Sequence, residues 1–469
     1  MRHTTDEILV KIRDGRSMAL REQVKLTALL SVPAMIAQLS SIVMQFIDAS
    51  MVGQLGADDA ASIGLVSSSL WLFGGICSAA ATGFSVQVAH RIGANDFTGA
   101  RSVLRQSLVC CLLFGLGIMV LGISLSDILP VWLRGNSNII GNASKYFLIF
   151  MLGIPFLIIE FLAGGMLRCS GNMRTPSILN VVMCVLDVLF NFLFIFPSHH
   201  FSIMGFEVTI PGLGKGVVGA AMGTILAEVI VCMMMLYYLV VHSRELNLIQ
   251  DSGSYRPQRS CIRKAFNIGF PIALQHTLLC SAMVLITAIV APLGSIAIAA
   301  NSFAITAESL CYMPGYGMEE AATTLVGQSA GAKRRDLMRR FANITVTMGM
   351  TIMGVMGILL YFAAPLIMNF MTPVQEVVEL GAAILRIEAF AEPLFAASIV
   401  CYGVMVGAGD TLVPCWMNIF SIWAVRLTLA AVLVGSMGLI GVWTAMCIEL
   451  CFRGAIFLIR LRSERWIKI

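Results

Sequence analysis

The composition of this 469-residue chain excludes an ordinary soluble protein. Hydrophobic residues make up 58% of the chain and charged residues only 12%, whereas a soluble domain carries about 25% charged residues. The mean hydropathy is +0.87, so the chain is expected to lie in a lipid bilayer. The 13 cysteines show no paired CxxC spacing, and we therefore predict neither a metal site nor a disulfide framework.

The net charge of +5 does not indicate a nucleic-acid partner, because the basic residues follow a membrane pattern. Of the 31 Lys and Arg residues, 26 fall in the two tails and in alternate loops between apolar runs. Membrane proteins concentrate basic residues in their cytoplasmic loops. The pattern predicts a multi-pass protein of the cytoplasmic (inner) membrane with both termini in the cytoplasm.

Apolar runs divide the chain into predicted membrane spans, each near the length of about 20 residues that a crossing helix needs. There are twelve, an even number, which agrees with two termini on one side. They lie near 26–50, 60–89, 103–126, 143–166, 176–197, 216–241, 265–291, 296–327, 342–367, 378–406, 414–434 and 438–459. We predict a cytoplasmic amphipathic segment 1–25, an N-lobe 26–241, a linker 242–264, a C-lobe 265–459 and a cytoplasmic tail 460–469.

The two halves of the chain repeat each other. A shift of 238 positions matches Pro33 with Pro271 and Gly93 with Gly331. Each half holds six spans in the same orientation, and two such lobes facing each other are typical of transporters that bind substrate between them. The predicted fold is an all-α integral membrane protein with 12 transmembrane helices in two parallel-repeat six-helix lobes. Pro33 and Pro271 are predicted hinges, because a proline inside a span frees a backbone carbonyl.

Polar residues inside the spans point to a functional site, because an ionisable group at mid-membrane costs about 2.5–3.5 kcal/mol. Such residues share one face of the first span and one face of the fifth. They are Gln38, Gln45 and Asp48, and Asn180, Asp187 and Asn191. We predict that Asp48, Asp187, Asn191 and Asn180 form a coupling site for a proton or cation. The alternative is a hydrogen-bonded set that locks two helices together.

The second half does not repeat these acids, since the shift places Ile286 opposite Asp48 and Val425 opposite Asp187. We predict that polar residues of the second half line the substrate cavity together with two glutamines of the first span. These residues are Gln38, Gln45, Gln275, His276, Glu308, Glu388 and Glu392. Arg426 is expected to neutralise one of the glutamates. Asymmetric chemistry on two similar scaffolds is what coupling an ion to a separate substrate requires.

Two segments carry a family resemblance. Residues 47–56, IDASMVGQLG, resemble the first-span signature of the multidrug and toxic compound extrusion (MATE) transporters. Residues 313–317, MPGYG, followed by 321–328, AATTLVGQ, are similar to their eighth-span signature. The resemblance implies a V-shaped pair of lobes that exports amphipathic, often cationic compounds in exchange for H⁺ or Na⁺, with Asp48 as the amino-lobe acid. The family's usual order in span five, Asn then Asp, is reversed here as Asp187 then Asn191.

The resulting prediction is a multidrug efflux antiporter that is not an enzyme, works as a monomer in the lipid bilayer and needs no cofactor beyond its coupling ion. Its partners are amphipathic small molecules. A flippase for a lipid-linked sugar is the nearest alternative, but it needs a cationic cavity for pyrophosphate. A membrane enzyme and a channel are further alternatives. The sequence shows no nucleophile–base or metal cluster for an enzyme.

Overall fold

A computed structural model describes residues 2–203, 206–249 and 251–467, and its architecture is almost entirely helical. Met1, residue 250 and residues 468–469 of the predicted tails and linker lie outside the described residues. The helices are α1 (Arg2–Arg13), α2 (Leu20–Gly53), α3 (Ala57–Gly93), α4 (Phe97–Leu125), α5 (Leu129–Trp132), α6 (Ser137–Cys169), α7 (Arg174–Ile195), α8 (Gly216–Tyr237), α9 (Arg259–Val290), α10 (Ser295–Gly331), α11 (Arg335–Met371), α12 (Gln375–Ala389), α13 (Glu392–Gly407), α14 (Leu412–Phe420) and α15 (Leu427–Ser463).

The long helices account for the twelve predicted spans. Ten helices of the described residues are long and apolar enough to cross a membrane, and α12 with α13 forms another span bent by 57°. One of the ten, Leu412–Ser463, has 52 residues and would measure about 78 Å if straight, more than twice the hydrocarbon thickness of about 30 Å. It breaks at Gly438, where φ is 58°, and Arg426 before the break bonds Glu449 after it. This element is therefore two antiparallel spans.

The predicted repeat is present in the backbone. Left-handed residues recur at the same places in both halves, at the turns that join consecutive spans. Each pair is separated by 238 positions: Gly56 and Gly294, Asn95 and Lys333, and Gly171 and Gly409. Helices α2–α4 and α6–α8 form the N-lobe, and α9–α15 form the C-lobe. The lobes meet where α2 packs on α10 and α3 packs on α9, which are equivalent pairs under the repeat.

Both described ends of the chain lie at one face of the bundle, which we call the termini face. Leu9 and Ile12 of α1 are buried in the same apolar cluster as Trp466 near the carboxyl end. The amino-terminal helix α1 also contacts both lobes. Arg13 forms an ion pair with Glu245 at 3.3 Å, and α1 packs against α3 and α10. The amphipathic segment predicted from the sequence thus covers the junction of the lobes.

The lobes are in backbone contact at the termini face. A Cβ atom on Gly93 would lie 2.0 Å from the carbonyl oxygen of Gln328, and one on Gly331 would lie 2.0 Å from that of His90. Nε2 of His90 is 2.8 Å from the carbonyl oxygen of Gly407. No side chain fits between α3 and α10 here, so the two lobes are sealed at this face and diverge toward the opposite face.

We expect Gly331→Ala to open this seal. Gly331 is the last residue of α10, and alanine is the better helix former of the two, so any loosening reports the clash with the His90 carbonyl rather than a weaker helix. Hydrogen–deuterium exchange should become faster in residues 85–95 and 324–334. Gly117→Ala in α4, where an added Cβ meets nothing within 4 Å, is the control. Unchanged exchange in the Gly331 variant would show that the seal tolerates a side chain.

A β-hairpin is the departure from the all-helical prediction. Strand β1 (Pro197–Ile203) pairs antiparallel with β2 (Phe206–Leu213), and Phe201 lies opposite Val208. The hairpin joins α7 to α8 at the face opposite the termini. Two strands of seven and eight residues are too short to stand out in a chain dominated by apolar runs.

The predicted hinges lie within continuous helices. Pro33 is inside α2 and Pro271 is inside α9, and neither helix is interrupted there. The marked bend lies instead between α12 and α13, where the helix axes turn by 57° just before Pro393. A hinge role for Pro33 and Pro271 stays a prediction.

Candidate functional site

A cavity of about 880 Å³ lies between the lobes. Its wall extends from Val86 and Val406 near the sealed termini face to Gln45 and Thr287, which lie toward the opposite ends of α2 and α9. The cavity therefore opens away from the termini. Four of the residues predicted for the substrate cavity lie on its wall: Gln38, Gln45, Gln275 and His276.

Two acids of α10 also line this cavity. Gly317 brings α10 against α2, because a Cβ there would lie 2.6 Å from the backbone nitrogen of Met35. Glu319 and Glu320 follow within one turn, and both line the cavity. Neither residue was among those predicted from the sequence for the site. Two adjacent acids inside an apolar span, just after glycines, are the signal that could have found them.

Most charges on the cavity wall are paired. Arg168 lies 3.7 Å from Glu320, which also accepts a hydrogen bond of 3.4 Å from Gln38. Nε of Arg453 lies 3.1 Å from Glu449 behind the wall. Glu319 differs from these residues: no described residue donates a hydrogen bond to it or forms an ion pair with it.

A second, enclosed polar site lies inside the N-lobe, where one amide connects two carboxylates. Nδ2 of Asn191 donates to Oδ1 of Asp48 at 3.0 Å and to Oδ2 of Asp187 at 3.1 Å. The hydroxyl of Thr224 on α8 lies 3.5 Å from the same nitrogen. Asp187 and Asn191 are each 1% exposed. The structure thus brings together three of the four residues predicted for coupling.

Asn180 is the fourth predicted residue, and it lies elsewhere. It stands about two turns before Asp187 on α7, and none of the described hydrogen bonds joins it to the carboxylates. Thr224 was not predicted. A threonine in an apolar helix gives no sequence signal of its own, because it commonly bonds to its own backbone.

Glycines on α8 make the enclosed site possible. A Cβ on Gly219 would lie 2.3 Å from the carbonyl oxygen of Phe194, and one on Gly223 would lie 2.2 Å from Oδ1 of Asn191. The GxxxG spacing thus lets α8 approach α7 closely, as small residues do in membrane helices.

The arrangement needs a positive charge. The carboxyl groups of the half-buried Asp48 and the buried Asp187 are in direct contact, and two carboxylates in contact repel unless a proton or cation lies between them. Oδ1 of Asp187 and Oδ1 of Asn191 are buried without a hydrogen-bond partner among the described residues. Carboxylate and amide oxygens are ligands that suit a hard cation, and a carboxylate also accepts a proton. The groups present are therefore suited to bind a proton or a hard cation.

The glutamates predicted for the cavity lie inside the C-lobe rather than on the cavity wall. Glu388 and Glu392 are 0% exposed and Glu308 is 6% exposed, because α12 and α13 are enclosed by α10, α11 and α15. All four carboxylate oxygens of Glu388 and Glu392 lack a hydrogen-bond partner among the described residues. The described part of the chain shows no cluster of three His, Cys, Asp or Glu side chains arranged for a metal ion.

Arg426 binds a different acid from the three expected ones. A π-helical turn over Ser421–Arg426 directs Nη2 and Nε of Arg426 to one oxygen of Glu449, at 2.6 and 2.9 Å. The Ser421 hydroxyl donates to the other oxygen at 2.5 Å. This partner was missed because Glu449 lies beyond the Gly438 break, whose geometry the sequence does not reveal.

Comparisons with known proteins agree with this architecture. The chain is 26% identical to the probable multidrug resistance protein NorM of Thermotoga maritima, over 94% of this chain and 92% of that protein. It is 24% identical to the corresponding protein of Idiomarina loihiensis, over 93% of each. The outward-facing structure of a multidrug resistance MATE family transporter superposes with a TM-score of 0.88, at 20% identity and 97% coverage of both chains.

A second solved structure, of a MOP superfamily transporter from Pyrococcus furiosus with a binding pocket of reversed polarity, gives a TM-score of 0.86. It is 20% identical and covers 98% of this chain and 99% of that one. The MatE family model matches residues 33–193 and 271–432, one segment in each lobe. The repeat, the two lobes and the family match agree, and the chain belongs to the MatE family.

Proposed function

We propose that this protein is a secondary active multidrug transporter that exports amphipathic organic compounds in exchange for protons or sodium ions. The observation that carries the proposal is one helix shared by two sites. Helix α2 presents Gln38 and Gln45 to the open cavity, and three residues beyond Gln45 it presents Asp48 to the amide of Asn191, which also bonds Asp187. The curated relatives, which are probable multidrug resistance proteins, support the same function.

The shared helix explains how exchange would work. Without a cation, Asp48 and Asp187 repel, and α2 is pushed from α7. A bound proton or cation removes the repulsion and draws α2 toward α7, and this also moves Gln38 and Gln45, which lie on the same helix and line the cavity. Substrate and ion thus favour different positions of α2, and each promotes release of the other.

We place the termini face in the cytoplasm, following the basic loops, so that this conformation is outward-open. Substrate then leaves to the outside, and the entering ion resets the transporter. The membrane potential adds about 2.3 kcal/mol for each charge moved across 100 mV. We further propose a monomer in the cytoplasmic membrane with no catalytic activity.

The flippase alternative is disfavoured by the charges of the cavity. A pyrophosphate group needs unpaired cations, yet Arg168 already pairs with Glu320 and Arg453 already pairs with Glu449.

Transport by purified protein in vesicles tests the proposal. Ethidium movement should require an imposed pH or Na⁺ gradient, reverse when the gradient is reversed, and stop when an ionophore collapses it. Vesicles without protein are the control. Ethidium movement that only equalises its concentration, whatever the ion gradient, would indicate a channel or uniporter and would overturn antiport.

A further inference from the structure

Glu319 is the unpaired charge of the cavity. The wall carries two guanidinium groups and two carboxylates: Arg168, Arg453, Glu319 and Glu320. The first pairs with Glu320 and the second with Glu449. Glu319 has no such partner among the described residues, so the substrate space faces one uncompensated acidic group.

Close contact between helices holds this side chain in place. A Cβ atom on Gly403 of α13 would lie 2.5 Å from Cγ of Glu319, so the stem of Glu319 fills the space that this glycine leaves. Glu319 is also one of the residues that line the cavity. A carboxylate whose stem is fixed keeps its position without a protein partner, which is what recognition of a ligand charge requires.

Aromatic rings surround the same part of the wall. Tyr312, Tyr316, Phe395 and Tyr402 all line the cavity. Tyr312 packs edge-on against Tyr316 at 5.9 Å and against Phe395 at 5.6 Å. The guanidinium of Arg453 lies 5.6 Å from the centre of the Phe395 ring. This wall therefore already holds one cation over an aromatic face, an arrangement that attracts organic cations.

We infer that Glu319 is the residue that recognises substrate charge: its carboxylate binds the positive charge of a cationic substrate, and without it the cavity no longer distinguishes that cation from neutral and anionic compounds of the same size. The inference rests on the proposed function only in treating this cavity as the substrate site. The carboxylate supplies the charge, and the rings beside it cover the apolar body. An anion would meet the uncompensated carboxylate and be repelled.

Binding to the purified full-length protein tests this inference without transport. Equilibrium dialysis would compare tetraphenylphosphonium, its anionic counterpart tetraphenylborate, and the neutral compound triphenylphosphine oxide. The wild type should bind the phosphonium most tightly. Glu319→Gln should weaken phosphonium binding at least tenfold, leave the neutral compound within twofold and strengthen borate binding. Glu319→Asp, which keeps the charge, should restore the preference for the cation.

Each other outcome is decisive. If Glu319→Gln leaves the phosphonium-to-borate ratio unchanged, or weakens all three compounds equally, the residue does not recognise charge and the inference fails. If the wild type binds none of the three compounds yet exports ethidium under an ion gradient, the inference fails and the proposed function stands. If the charge preference depends on Glu319 but no gradient drives transport, the binding site stands and antiport fails.

Discussion

Asp187→Asn is expected to abolish ion-driven export while leaving the amount of protein in the membrane unchanged. Asparagine has the same shape, so the contact with Asn191 remains possible, but the site loses a negative charge. Oδ1 of Asp187, which has no described hydrogen-bond partner, can then no longer be protonated or bind a cation as a carboxylate. Transport in vesicles should fall to the level of protein-free vesicles under every ion gradient. Asp48→Asn should do the same, because the site needs both carboxylates.

Two variants separate coupling from structure. Asn180→Ala changes a polar residue on the same helix that has no described bond to the carboxylates, and it should transport normally. Substrate binding measured at equilibrium should survive in Asp187→Asn, because Asp187 does not line the cavity. Gradient-driven export at the wild-type rate in Asp187→Asn would exclude this residue from coupling. Loss of both binding and membrane protein would assign it to the fold.

The lobes were predictable because the bilayer imposes strong and simple constraints on sequence. A crossing helix must be long and apolar, so its extent follows from the chain alone. The repeat was visible because glycine and proline positions such as Gly93 and Gly331 serve the same tight contact in each half. The enclosed site was partly predictable for the same reason, since Asp48 and Asp187 are costly in a membrane and lie on defined helix faces.

The features that could not be predicted from the sequence depend on how the helices are oriented relative to one another. The rotation of a helix about its axis decides whether an acid within a span faces the cavity, as Glu319 does, or the interior of the lobe, as Glu388 does. The bend between α12 and α13 and the break at Gly438 are likewise tertiary features. After the break at Gly438, the chain runs back beside the turn that carries Arg426. Glu449 therefore lies next to Arg426 and becomes its partner.

Glu449→Gln is expected to destabilise the C-lobe strongly. Glu449 is 0% exposed and is the shared partner of Arg426 and Arg453, at 2.6 and 3.1 Å. The variant keeps the shape of the side chain but leaves the buried guanidinium of Arg426 and that of Arg453 on the cavity wall without their counter-charge. Breaking a buried ion pair from one side typically costs about 3–5 kcal/mol, and here one carboxylate serves two cations.

The measurement is the thermal unfolding midpoint in detergent, which should fall markedly for this variant. Glu379→Gln, which removes an exposed acid of α12, should leave the midpoint unchanged, because exposed charges contribute little to stability. Adding Arg426→Leu to Glu449→Gln should recover part of the loss, since it removes one of the orphaned cations. A midpoint unaffected by Glu449→Gln would mean that water or lipid headgroups reach these guanidinium groups. If the double variant is instead less stable than Glu449→Gln, then the packing of the Arg426 side chain stabilises the protein more than its unpaired charge destabilises it.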